Sequence, residues 1–452
     1  MRPHGFLAFL ACTALLVPSA GAVDVHVSSR TVGQGYQLIT SGGDVLKRSR
    51  LNQFLGLDVL DLKGDNTNSM SFVSSFRFDG DFGMTDAELE AIAQLQNNQL
   101  SIMYAYFDMR DLGGSIDLRL GRQLLIDEMD FTMLDGLRFK YHTPWFFGVE
   151  VVGGIEVKNA GFLDVVSSTQ LELDGSGGND DAIDEDVGIV VGGALFLRGL
   201  RDHHGKVGYR RVMADSGDVD AEKVYGNYHV RAVDWLHLHV GWAYDFLISD
   251  LSDLRTSVRF AGLADVLDVE LSYLRLLPSF EGSSIFNIFN TEALNDVDLR
   301  LRARVARGVS AYVGGYVRLF GNDKDANDDP GVEEDIKDFG AKVGGRVKIG
   351  RFAHLGLDAV YQVGYGDYSV VDLYGGYGFL DGDLNLTGRL TTVLFEDIAL
   401  ERLEATSFGG NLGLSYQIER IARFHLVGEL NSNKIESVQF RMFGLVDLDF
   451  WL

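Results

Sequence analysis

The sequence is poor in several features on which other protein classes depend. Its 452 residues include a single cysteine, Cys12, and only 5 prolines. One cysteine forms no internal disulfide and cannot supply a zinc or iron–sulfur site. Basic residues are also few, 40 against 65 acidic ones, which gives a net charge of −25. This charge argues against a nucleic-acid partner, because proteins that bind nucleic acids in general present a basic surface.

Long apolar runs are missing as well. No segment beyond the N-terminal region has 18 consecutive apolar residues, so the sequence predicts no membrane-spanning helix. The chain is nevertheless 46% apolar and 11% aromatic, which argues against disorder. Together with 54 glycines, 17 tyrosines and 29 phenylalanines, this composition predicts a protein that is rich in β-sheet.

The N-terminus predicts export. Arg2 precedes a short apolar run over residues 6–17, and an A-x-A pattern of small residues ends at Ala22. We expect residues 1–22 to be a cleaved signal peptide, whose removal also removes the only cysteine. Acylation of Cys12 is less favoured, because a lipoprotein site there would cut the apolar run in half.

The rest of the chain alternates between apolar and polar residues with a period of two. In the last segment, eight alternate positions from Val438 to Leu452 carry no charge, whereas the other face includes Arg441, Asp447 and Asp449. About 22 segments of this kind recur, each about 10–12 residues long. That is the length of tilted strands that cross a bilayer, whereas strands of soluble sandwiches are usually about 5–6 residues long.

Short connections alternate with long ones along the chain. The short ones are 110–114, 142–145, 234–235, 262–265, 306–308, 350 and 419–420, and the long ones are 80–98, 159–186, 277–296 and 321–338. This alternation is typical of outer-membrane barrels, which have short periplasmic turns and long extracellular loops.

The fold class that follows is all-β. We expect one closed antiparallel transmembrane β-barrel over residues 49–452, with about 22 strands and in any case an even number from 16 to 22. Residues 23–48 are expected to form either a leader or the first strand.

Charge is sorted between the connections and the strands. The links 80–98, 124–131, 159–186 and 321–338 hold 23 acidic residues and only two basic ones. A cluster of cations lies instead on the polar faces of neighbouring strands. Its members are Arg255, Arg259, Arg300, Arg302, Arg304, Arg318, Lys342, Arg346 and Lys348. In a barrel this face lines the lumen, so the cluster predicts a pore wall that favours anions. The alternative is that the cations pair with Asp and Glu across strands and make the wall rigid.

Two groups of residues are candidates for metal binding. The acidic loop places Asp323, Asp325, Asn327 and Glu334 at ligand positions of a calcium loop, but Asp328 stands where such a loop needs glycine. A solvated acidic loop is the alternative interpretation. His237 and His239 share one strand face, yet the sequence supplies no third ligand, and a solvated histidine in the lumen is the commoner case. The other histidines on polar strand faces are His229, His354 and His425.

The chain resembles Gram-negative outer-membrane β-barrels of the porin class. The resemblance rests on the alternating terminal strand, which ends in Phe450-Trp451-Leu452; such barrels usually end in Phe, so Leu452 is a departure. Residues 115–154 also resemble the alginate-export type of barrel, through Leu118–Gln123 and Asp135–Leu137. That resemblance implies a basic lumen for anionic solutes or polysaccharides. The alternative is that these residues are strand-end and turn residues shared by many barrels.

We therefore predict a porin-like channel in the cell outer membrane for passive or facilitated diffusion of small anionic or polyhydroxylated solutes. No catalytic constellation is recognised, so we expect neither an enzyme nor a cofactor. The expected partners are outer-membrane lipid and lipopolysaccharide, the solute and the barrel-assembly machinery, and oligomerisation is left open. The alternative is a surface receptor or adhesion scaffold that acts through the acidic loops. Deleting 159–186 would distinguish the two, because a scaffold would lose partner binding and keep its conductance.

Overall fold

The computed structural model describes residues 23–39, 45–62, 69–82, 98–126, 131–157, 188–214, 217–277, 293–320, 336–364, 366–397, 405–433 and 438–451. Within these ranges the chain forms 22 strands and one short 3-10 turn, Leu380–Gly382. The strands are β1 (Asp24–Ile39), β2 (Val45–Leu60), β3 (Ser69–Asp81), β4 (Asn98–Leu112), β5 (Ile116–Ile126), β6 (Phe131–His142), β7 (Phe147–Glu156), β8 (Ile189–Leu197), β9 (His203–Met213), β10 (Val219–Val233), β11 (Leu236–Asp245), β12 (Asp250–Leu263), β13 (Leu267–Leu276), β14 (Leu294–Ala306), β15 (Val309–Phe320), β16 (Ile336–Ile349), β17 (Ala353–Val363), β18 (Gly366–Phe379), β19 (Leu384–Asp397), β20 (Ala405–Ile418), β21 (Ala422–Ser432) and β22 (Gln439–Trp451). No helix among the described residues is long and apolar enough to span a membrane.

The strands form one closed antiparallel sheet. Each strand pairs with its neighbours in sequence, and β1 pairs with both β2 and β22. Closure leaves no free sheet edge, so the ladder satisfies the backbone polar groups of every strand. The predicted closed barrel of about 22 strands is therefore confirmed, and the alternating sequence pattern is its physical cause.

Side chains as well as backbone hold the closing seam between β1 and β22. The two ring nitrogens of His26 lie 3.1 Å from Asp58 and 2.9 Å from Asp449, so one imidazole connects β1, β2 and β22. The ring also stacks on Trp451 with 4.4 Å between centroids. Further along the seam, Arg30 donates a hydrogen bond of 2.6 Å to Asp447.

The two ends of the barrel differ in their connections. One end, called the turn end, has the turns 113–115, 143–146, 198–202, 234–235, 264–266, 307–308, 350–352, 380–383 and 419–421. All seven predicted short connections overlap turns of this end. In the two-residue turn 307–308, Gly308 has φ +80°, a conformation that favours glycine. The opposite end is called the loop end. Most of the predicted long links lie there, outside the described residues.

Residues 23–48 were predicted to be either a leader or the first strand, and the structure has the strand. They contain all of β1 and the first residues of β2, so the wall starts at Asp24. The sequence left both alternatives open because Thr31, Gly33 and Gly35 stand on the apolar face of β1, and such small residues weaken the alternating signal. Residues 1–22, where we predict the signal peptide, lie outside the described residues.

The two faces of the sheet differ in chemistry. On the outer face, Val313 stands opposite Val343, and Leu373 stands between Leu357 and Leu390. These five side chains are 42–63% exposed. A continuous exposed apolar surface of this kind suits hydrocarbon surroundings, as expected of a transmembrane barrel. The alternate positions form the inner face, which carries most of the charged residues.

Candidate functional site

The register places all nine predicted pore-lining cations on the inner face. On β13, Glu270 stands between Arg259 and Arg300. On β15, Gly314 stands between Arg300 and Lys342. Five of the other six cations lie an even number of residues from one of these three on the same strand, and therefore on the same face. The sixth, Arg318, lies an even number of residues from Gly314 on β15. The cluster therefore forms one patch across β12 to β16.

Four of the nine cations are paired with carboxylates. Arg255 contacts Asp253 at 2.6 Å, Arg259 contacts Asp268 at 3.3 Å, Arg318 contacts Asp296 at 2.8 Å, and Lys342 contacts Asp298. All four pairs cancel charge locally, and the last three also join different strands, whereas Arg255 and Asp253 both lie on β12. For Arg259, Arg318 and Lys342, the alternative interpretation of cations that pair across strands describes the geometry.

Four other cations have no such partner. They are Arg302 and Arg304 on β14, and Arg346 and Lys348 on β16. All four are exposed, and no carboxylate among the described residues lies within 4.0 Å of their nitrogen atoms. Arg304 and Arg346 both stand opposite Ser310, so their backbones are separated by two strand spacings, about 10 Å. This group, called the open cations, lies in the half of the wall nearest the turn end.

Tyrosines contact three of the nine cations, the ninth one, Arg300, and the paired Arg318 and Lys342, a role that sequence reasoning missed. The Tyr316 ring lies 4.6 Å from the Arg318 guanidinium and 4.5 Å from the Lys342 ammonium, distances typical of cation–π contacts. Its hydroxyl donates a hydrogen bond of 2.7 Å to Gln362. The Arg300 guanidinium lies 5.9 Å from the Tyr312 ring.

Glycines on the next strand make room for these rings. A Cβ on Gly340 would lie 2.0 Å from the Tyr316 ring, and one on Gly344 would lie 2.4 Å from the Tyr312 ring. The tyrosines therefore lie flat against the wall of β16. The tyrosines and glycines can be seen in the sequence, but which glycine stands opposite which tyrosine depends on the register of β15 and β16.

The inner face of β5 to β10 is different. Glu150 on β7 is 5% exposed and is surrounded by three cations. Its carboxylate lies 2.9 Å from Arg138, 2.9 Å from Lys206 and 3.2 Å from Lys140. Beside this network, Leu125, Leu134 and Val152 form a buried apolar cluster. Glu150 itself is inaccessible, and the three cations around it are used within the protein.

The histidines named from the sequence fall into two groups. His237 and His239 lie near His229, whose ring centroid is 6.3 Å from that of His237. His204, which sequence reasoning did not name, lies on the other side of His229 at 6.2 Å. Among the described residues no group of three or more potential ligands is placed to hold a metal ion. His354 and His425 lie on β17 and β21, away from this group.

The candidate calcium ligands Asp323, Asp325, Asn327 and Glu334 lie outside the described residues. Most residues of the acidic links also lie outside the described residues; these links are 80–98, 124–131, 159–186 and 321–338.

The stretch 115–154 forms β5, β6 and β7, and its characteristic residues lie inside strands. The alternative interpretation, that they are turn or strand-end residues, is therefore wrong as to their position. Arg122 donates hydrogen bonds of 2.8 Å and 2.7 Å to Asp135 on the outer face, where sequence reasoning expected no charge. Gly121 has φ +125°, and a Cβ there would lie 2.4 Å from the Ala105 carbonyl oxygen. The close backbone packing at Gly121 and the ion pair between Arg122 and Asp135 explain why these residues stand in this stretch.

In comparisons with known proteins, no protein-family model matches the chain, and no curated protein matches it. Among solved structures, OccK1 (OpdK) of Pseudomonas aeruginosa is 12% identical with a TM-score of 0.46, covering 95% of this chain and 99% of that one. OccK9 (OpdG) of the same organism is 10% identical with a TM-score of 0.48 and the same coverage.

A BenF-like porin from Pseudomonas fluorescens is 7% identical with a TM-score of 0.48, covering 95% of this chain and 98% of that one. The resemblance of residues 115–154 to alginate-export barrels receives no support from these structures.

Proposed function

We propose that this protein is a porin-like channel of the Gram-negative outer membrane, through which small anionic or polyhydroxylated solutes diffuse. The observation that carries the proposal is the group of open cations on the inner wall, Arg302, Arg304, Arg346 and Lys348. Unpaired guanidinium groups stay charged at any physiological pH and attract carboxylate or phosphate groups. Asp268 stands opposite Arg302, but its carboxylate is paired with Arg259 at 3.3 Å. A wall whose exposed cations form no ion pair within 4.0 Å among the described residues favours anions over cations.

The tyrosines and glycines beneath the cations support the same function. Tyr312 lies against Gly344 and is half-buried, so part of its ring is presented beside the charges, whereas Tyr316 is 3% exposed and supports Arg318 and Lys342 from within the wall. A partly exposed ring face suits polyhydroxylated solutes, which have apolar C–H faces. Diffusion along such a wall needs contacts that are several and weak.

The proposal also places the protein in the cell. The turn end faces the periplasm and the loop end faces outward, as in barrels that are exported through a cleaved signal peptide over residues 1–22. The apolar outer face contacts outer-membrane lipid and lipopolysaccharide, and insertion uses the barrel-assembly machinery. The proposed function involves no catalysis and no cofactor.

Reconstitution in planar bilayers tests the proposal. We expect conductance steps and a reversal potential in a salt gradient that indicates anion preference. In Arg304→Gln/Arg346→Gln, which removes two open cations, the anion-to-cation permeability ratio should fall by a factor of about 2 or more.

The matched control is Arg318→Gln/Asp296→Asn, which removes a paired cation together with its carboxylate. Its net charge is unchanged, so its permeability ratio should stay near that of the wild type. Absence of conductance, cation preference in the wild type, or equal effects of the two double variants would each contradict the proposal.

A further inference from the structure

Four histidines meet on the inner face of β9, β10 and β11, near the turn end. The members of this histidine cluster are His204, His229, His237 and His239. His229 is its centre, because it stands directly opposite His204 on one side and His239 on the other. Its ring centroid lies 6.2 Å from that of His204 and 6.3 Å from that of His237. Four imidazoles therefore share one small area of the wall.

The charged groups around the cluster are mainly cationic, and their own partners neutralise them. On β9 the next inner residue is Lys206, which contacts Glu150 at 2.9 Å. On β10 it is Arg231, which contacts Asp202 at 2.5 Å.

On the far side of the cluster, β12 presents Arg259 opposite His237, and Arg259 contacts Asp268 at 3.3 Å. On β8, the neighbour of β9, the inner residue opposite Lys206 is the uncharged Phe196. Among the described residues, no carboxylate lies within 4.0 Å of any of the four imidazoles. The cluster therefore has no built-in counter-ion, and any charge that it gains is presented to the lumen.

We propose that the histidine cluster makes the channel pH-responsive, with anion selectivity that rises as the pH falls from about 8 to about 5.5. Imidazole is the side chain whose ordinary pKa, about 6.5, lies in this interval. Positive charge that the cluster gains on acidification adds to that of the open cations in the same half of the lumen. The inference rests on the proposed channel function and specifies its regulation.

Other titrations do not account for such a change. Asp and Glu ordinarily protonate near pH 4, below the interval, and Lys and Arg deprotonate above it. Four other histidines face inward. His26 and His142 are held by carboxylates, Asp58 and Asp449 for the first and Asp117 for the second, so their charge is balanced locally. His354 and His425 are each on a separate strand, β17 and β21. His354 stands opposite Lys348, so its environment differs from that of the four clustered rings.

The test is the reversal potential of the reconstituted full-length barrel at pH 8 and at pH 5.5. In the wild type we expect the anion-to-cation permeability ratio to rise by a factor of about 2 or more on acidification. In His229→Gln/His239→Gln most of this rise should be lost, while the ratio at pH 8 stays near the wild-type value. The matched control His354→Gln should keep the rise. If the first double variant does not insert as a barrel, His204→Gln/His237→Gln removes the other two rings.

The outcomes separate the inference from the function on which it rests. A wild-type ratio that is independent of pH, or a full rise in a folded double variant, would overturn the inference and leave the channel intact. Absence of conductance at either pH would overturn the channel itself. Loss of the rise in the His354→Gln control would show that a single luminal histidine is responsible, which also overturns the role of the cluster.

Discussion

The inner faces of two parts of this barrel carry similar residue types and use them differently. On β5 to β10, a buried glutamate draws three cations together beside a buried apolar cluster. On β14 to β16, four exposed cations have no carboxylate within reach among the described residues. The first region is called the closed wall and the second the open wall. The number of basic residues on a strand face therefore does not predict the net charge that this face exposes.

The physical reason is desolvation. A buried ion pair costs free energy to desolvate and regains it only if every partner is in place, so its charges are unavailable to a ligand. An exposed guanidinium keeps its hydration, and it exchanges water for a solute anion at little cost. The closed wall therefore serves stability, and the open wall is the place where we propose that solutes are selected.

The largest effect is expected at the centre of the closed wall. Glu150→Gln leaves three half-buried cations without their buried counter-ion, so the free energy of unfolding should fall by about 3 kcal/mol. Equilibrium unfolding of the barrel in lipid or detergent measures this. The control is Asp253→Asn, which breaks the exposed pair with Arg255 and should cost less than about 1 kcal/mol. Similar losses in the two variants would remove the distinction between the walls.

A smaller effect is expected where backbones approach closely in the closed wall. Gly121→Ala places a Cβ 2.4 Å from the Ala105 carbonyl oxygen at a φ of +125°. We expect this to lower the free energy of unfolding by about 1–3 kcal/mol. Gly33→Ala on β1 is the matched control, because nothing lies within 4 Å of a Cβ there. An equally destabilised Gly33→Ala would mean that the close packing at β5 has no special role.

The smallest perturbation tests accessibility directly. The sequence has no cysteine after Cys12, so a single introduced thiol is unambiguous once the signal peptide is removed. Ala194→Cys on the closed wall, where Ala194 is 7% exposed, should react with a charged thiol reagent at least about 10-fold more slowly than Arg346→Cys. Folding should be unaffected in both variants. Equal labelling rates would show that both walls are open to the lumen.

Much of the fold could be predicted from the sequence, because the side-chain period of a strand is a local property. The alternation in residues 438–452 and the short turn at 307–308 were sufficient to predict the barrel and one of its ends. The first strand was harder to predict, since the small residues of β1 blur the alternation. The outer-face pair Arg122 and Asp135 could not be anticipated either, because both stand at positions where the pattern predicts apolar residues.

The candidate site divides in the same way. The inner-face position of Arg304 and Arg318 follows from counting residues along a strand. Whether each is paired depends on the residue that faces it from the next strand, and that residue is distant in sequence. Arg318 contacts Asp296 from 22 positions earlier, whereas Arg304 stands opposite Ser310. His237 and His239 could be grouped from the sequence because they share one strand. His204 and His229 lie on other strands, so their proximity to this pair depends on the register.

Residues close together in the chain were enough to predict the apolar face of most strands, the approximate number of strands and the position of seven short turns, because strand alternation and turns are local properties. The tertiary structure alone decided which cations are neutralised, which tyrosines lie on which glycines and where four histidines meet. These depend on cross-strand register, since sliding one strand by two residues would keep every face and change every partner.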